Sequence, residues 1–127
     1  MTNNLKSISI FLGNPFKGIK KLLITIEENQ ITIKDNCPHK IYTSPLENEY
    51  IDKFLEGLND LNIQNWNTNY ITTEKVLDPD SWTITLNYQD SSQKEYHGVN
   101  LYPDNWNNLK DFISQYSNIF QEEAYEE

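Results

Sequence analysis

Arginine is absent from the 127 residues; all ten cations are lysines, set against nineteen acids, for a net charge of −9. The side chain best suited to bidentate recognition of phosphate and guanine is therefore missing. A strongly acidic chain is also repelled by a nucleic acid backbone. Direct nucleic-acid binding is disfavoured, while binding to a protein that itself binds nucleic acid is not. Cysteine is nearly absent too: Cys37 is the single one and closes no internal disulfide, so a reducing cytoplasm is the expected home. No apolar run approaches the ~18 residues of a membrane helix. The opening Met1-Thr2-Asn3-Asn4-Leu5-Lys6 has no apolar core of a secretory signal. Glycine is scarce at four, and Gly13-Asn14-Pro15-Phe16-Lys17-Gly18 is not followed by the Lys-Ser/Thr of a phosphate loop.

What is present points to a folded chain. Aromatic residues make up 13%, too many for an acidic disordered segment. The length suits one soluble domain, expected over residues 1–121, with an acidic tail at 122–127 that should fray. The charge is uneven. Residues 1–26 hold Lys6, Lys17, Lys20 and Lys21 and no acid, a local +4 against −9 overall, leaving −13 for the rest.

Alternation of apolar and polar residues predicts strands over Ser7–Leu12, Lys21–Glu27 and Ser81–Tyr88. Ile31 and Ile33 form a hairpin partner after a turn at Glu28-Asn29-Gln30, and Gln93–His97 returns after Gln89–Ser92. Ile41-Tyr42 reads as a brief edge strand. Ser44-Pro45-Leu46-Glu47 is a capping box with proline at the first helical position. Ile51, Phe54, Leu55, Leu58 and Leu61 then recur as one helical stripe, ended by the Asn-rich stretch from Asn59 to Asn69. Leu109, Phe112, Ile113, Tyr116 and Ile119 form the stripe of a final helix.

An offset of 58 residues carries Pro45, Ile51, Phe54, Leu55, Leu58 and Leu61 onto Pro103, Leu109, Phe112, Ile113, Tyr116 and Ile119. The expected fold is therefore α+β: an antiparallel sheet with one face covered by two helices, in two ββα units open to reading as a duplication and preceded by a leading strand. Its other face would carry Thr25, Thr32, Thr83, Thr85 and Asn87, the usual polar side of an antiparallel sheet.

Few residues suggest chemistry. Cys37-Pro38-His39 lacks the spacing of a thiolate–imidazole pair, and reads as a loop. Cys37, His39 and His97 have no paired metal-ligand spacing. Asp78-Pro79-Asp80 lacks the alternating ligands of a calcium loop and reads as a turn. No enzyme, cofactor or metal is expected. The remaining constellation is aromatic: Trp66, Tyr70, Trp82, Tyr88, Tyr96, Tyr102 and Trp106 crowd the second half.

That half carries a pattern. Trp66-x-x-x-Tyr70, Leu77-Asp78, Trp82-x-Ile84-x-Leu86-x-Tyr88 and Gly98-x-Asn100-x-Tyr102-Pro103-x-Asn105-Trp106-x-x-Leu109 resemble small uncharacterised bacterial proteins, mainly of low-GC Gram-positive hosts or their phages. The resemblance covers residues 66–113; Asp78-Pro79-Asp80 replaces that group's Asp-Gly turn. It implies no activity, and a structural junction at Gly98–Trp106.

By size and charge the chain is similar to toxin-immunity proteins and phage anti-defence proteins, including anti-CRISPR inhibitors. The expected function is binding and inhibition of a basic protein partner, a nuclease or toxin, by electrostatic steering and aromatic anchors. The candidate contacts are Glu47, Glu49, Asp52, Glu56 and Asp60 on the first helix, with Asp104 and Trp106 at the start of the second. The alternatives are a structural or adaptor subunit using the open sheet face, or a small enzyme or ligand-binding protein with a pocket between sheet and helices lined by His97 and acids.

Overall fold

The computed structural model describes residues 4–27, 30–36, 48–71 and 79–120, with backbone alone at 48 and 49. The chain runs β1 (Leu5–Asn14), β2 (Gly18–Glu27), β3 (Gln30–Asp35), α1 (Asn48–Asp60), β4 (Asn69–Ile71), β5 (Ser81–Tyr88), β6 (Gln93–Val99) and α2 (Trp106–Ser114). One sheet takes the order β3-β2-β1-β5-β6-β4. The α+β class is as expected. The leading strand, however, is not an appendage; β1 sits inside the sheet and pairs antiparallel with both β2 and β5.

Register explains why one face is apolar. Ile8 stands opposite Ile24 and Leu86, and Ile10 opposite Leu22 and Ile84. Ile24 and Ile26 meet Ile33 and Ile31, and Ile84 meets Tyr96. All of these are buried. Directly opposed residues share a face, so a period-2 sequence in each strand adds up to one continuous apolar surface. Burial contributes roughly 1.5–3 kcal/mol for each such aliphatic side chain. The opposite face carries Thr25, Thr32, Thr83, Thr85 and Asn87, all half-buried. It also carries Phe11, Ile19 and Leu23, which are exposed.

The helices follow their stripes. Ile51, Phe54 and Leu58 of α1 and Trp106, Leu109, Phe112 and Ile113 of α2 join the same core cluster as the sheet's apolar face. Phe54 lies 5.1 Å from Phe112 and 5.0 Å from Tyr116, ring to ring. Asn62 ends α1 by turning left-handed, at φ 56°, a conformation asparagine tolerates better than most residues. A single 3-10 turn, Ile63–Asn65, follows.

Three features depart from the expectation. β4 is a strand of three residues paired parallel to β6, so the sheet is antiparallel except at that edge. α2 stops at Ser114, short of Tyr116 and Ile119. Ser117 is buried there; its hydroxyl donates to Asp35 Oδ2 at 2.6 Å and accepts from Ile119 N–H at 3.2 Å, and such local hydroxyl bonds compete with a helix ladder. Finally, β2 and β5 point the same way and bury the same face, but β3 and β6 lie on opposite outer sides. A rigid movement laying β2 on β5 would put β3 on β1, not on β6. The 58-residue match is one of patterning, without superposable hairpins beneath it. The capping box at Ser44–Glu47, the strand at Ile41-Tyr42 and the tail from Gln121 lie outside the described residues.

Candidate functional site

Two surfaces stand out. The first is the acidic side of α1. Asp52, Glu56 and Asp60 are all exposed and recur at every fourth residue, which aligns them along one edge of the helix. Glu49 belongs to α1 by its backbone; Glu47 lies outside the described residues. Asp104 is exposed but stands on the turn before α2, away in sequence from that row. Trp106 is only 9% exposed. Its ring packs 4.8 Å from Trp82, 5.0 Å from Tyr102 and 5.6 Å from Phe120, which makes it chiefly a core residue.

The second surface is a cleft of about 490 Å³ beside the β1–β2 turn. Its floor and walls are aromatic: Trp82, Trp106, Tyr102, Phe120 and Phe16. Trp82 lies on the apolar phase of β5, opposite Gly98 of β6. A Cβ on Gly98 would meet the Trp82 Nε1 at 2.5 Å and the Leu101 carbonyl oxygen at 2.7 Å. The glycine thus leaves room for the indole N–H to donate to that same carbonyl, at 2.9 Å. Burial, then the nearby Asp80 carboxylate, pushes the Tyr102 phenol above its usual range, so it stays protonated near neutrality.

The rim is held by hydrogen bonds. Asn14 Oδ1 accepts from the Phe16 and Lys17 N–H groups at 2.8 and 3.0 Å, while its amide donates to Asp80 Oδ1. The Asp80 N–H donates to Asn100 Oδ1 at 2.7 Å, and the Asn100 N–H donates back to the Asp80 carbonyl at 2.9 Å. Asn100 is left-handed at φ 56°, and Gly18, closing the turn, has φ 89°. Among the described residues that line the cleft, Lys17, Lys20 and Lys110 are the cations and Asp80 the acid.

Compared with family models, with curated proteins and with solved structures, the chain finds no match in any of the three. The site must therefore be judged on its own residues.

His97 faces the polar side of the sheet, opposite Thr83, and does not line the cleft. Cys37 and His39 lie outside the described residues, among which no three His, Cys, Asp or Glu come together as a metal-ligand group. The cleft was not legible beforehand. Its one signal was the acid-free, lysine-bearing stretch of residues 1–26, which supplies Lys17 and Lys20. Lys110, from the other end of the chain, joins them only through the fold.

Proposed function

We propose that the protein is a non-catalytic binder that covers a basic surface on another protein and blocks it, in the manner of a toxin-immunity or phage anti-defence protein, inside the cell that makes it. The observation that carries this reading is the exposed row Asp52, Glu56 and Asp60 on α1. Like charges four residues apart weaken a helix by a few tenths of a kcal/mol per pair, so the row costs the fold a little and suits an opposite charge outside it. In this reading the two helices cover the apolar sheet face and turn the row outward. Long-range attraction of such a row speeds encounter with a cationic cleft and is damped by salt.

A second reading has its own support. Phe11, Ile19 and Leu23 are exposed on the polar side of the sheet, and Phe11 sits diagonally between the other two in the β1–β2 register. An adaptor would use that flat face against a larger assembly.

The experiment is affinity capture of the tagged protein from its host or an infected culture, with mass spectrometry, beside the triple variant Glu49→Lys, Asp52→Lys, Glu56→Lys. The inhibitor reading expects one basic nuclease or toxin in stoichiometric yield, lost with the triple variant, most clearly at low salt. Full recovery by a folded triple variant, with loss instead in Phe11→Ser, would replace it with the adaptor reading.

A further inference from the structure

We propose that the cleft beside the β1–β2 turn is a binding site for a small organic anion carrying a flat aromatic ring. Its volume, about 490 Å³, falls within the ~300–1,000 Å³ typical of small-molecule sites. Its lining divides the work between ring and charge. Tyr102, 39% exposed and backed by the buried Trp82 and Trp106, offers a ring surface, and Phe16, 75% exposed, stands at the mouth with no core to fill. An aromatic group between such rings gains offset or edge contacts.

The charge is of the opposite sign to that of the chain. Among the described residues, Lys17 and Lys110 line the cleft with one acid, and that acid, Asp80, already accepts the Asn14 amide. In a protein of net charge −9 an acidic lining is the default expectation, so a local excess of cations beside exposed aromatic surface is a selective arrangement. The frame is preorganised as well. Asn14 fixes the backbone of Phe16 and Lys17, Asp80 ties that turn to Asn100, and the Trp82 indole is locked to Leu101. Fixed walls lower the ordering cost of binding. Among the described residues the lining points away from acid–base catalysis, since no histidine belongs to it and its Asp80 carboxylate is committed to a structural bond. Recognition is what remains.

The site is independent of the acidic row on α1, so either proposal stands if the other fails. The test is calorimetric titration of the full chain with three probes: 1-naphthoate, its neutral counterpart 1-naphthalenemethanol, and inorganic phosphate. Naphthoate should bind at one saturable site, at least about tenfold tighter than either partial probe, and weaken as salt rises. The double variant Lys17→Gln, Lys110→Gln should lose at least tenfold for naphthoate and little for the neutral ring. Phe16→Ala, which removes an exposed side chain and leaves the core intact, should weaken both ring probes. Lys53→Gln on α1 serves as the charge control and should change neither. Equal affinity for the charged and neutral rings, an unchanged double variant, or no saturable naphthoate binding would each overturn the proposal.

Discussion

Gly98 shows how one missing side chain organises the cleft end of the molecule. Trp82 lies across it and donates to Leu101 through the space a Cβ would fill. Gly98→Ala must push the indole or the Leu101 carbonyl aside, breaking that bond and overpacking the core. Such insertions cost about 1–3 kcal/mol, and the broken bond places this one at the upper end. Denaturant melts should show the loss, with a red-shifted tryptophan emission as the indole meets water. The alternation of β5 puts Trp82 on its apolar phase, and the structure buries it there, whereas Gly98 lies within β6. Trp106, expected as a partner contact, is instead packed into the core; its ring contacts with Trp82, Tyr102 and Phe120 come from three separate segments, which no local pattern reveals.

The α1–α2 contact rests on Phe54. It is fully buried and meets Phe112 and Tyr116. Phe54→Ala should cost about 3–5 kcal/mol, read as a lower midpoint in urea with little change in slope. The long periodic elements were legible: α1, β1, β2 and β5 follow their alternation or helical stripe. The short ones were not. β4 has three residues, fewer than any period can display, and exists because β6 offers it an edge. α2 ends early because Ser117 finds Asp35 across the fold, 82 residues away in sequence.

The whole molecule carries opposed titrations. Burial raises the phenols of Tyr88, Tyr96 and Tyr102 above the ordinary 10.0; neighbouring Tyr96, Tyr70 and Asp80 respectively add to this, and Lys94 opposes it at Tyr88. A raised folded value means the folded chain holds the proton more tightly. That stability is complete below pH 10.0 and is lost as the pH climbs through the raised values. Asp90 works in the other direction: the Ser92 hydroxyl, then the Ser92 N–H, hold it below 3.8, so its small contribution is lost only in stronger acid. Thermal melts against pH should therefore show a steep alkaline fall, accompanied by delayed phenolate absorbance. Charge asymmetry was readable from the sequence at this level; that its basic share gathers into a cleft was not, because Lys17 and Lys110 meet only after folding.

The place of β1 in the sheet has a consequence for synthesis. A ribosome releases β1, β2 and β3 together, and these can close as a meander with one flank of β1 unpaired. That flank waits for β5: Ser7 meets Asn87 across 80 residues of later chain. Until then a nascent chain presents an open strand beside a half-covered apolar face, the arrangement most prone to pairing with a neighbour. A pause in translation before β5 would lengthen that exposure, while one after β6 would find the flank already sealed.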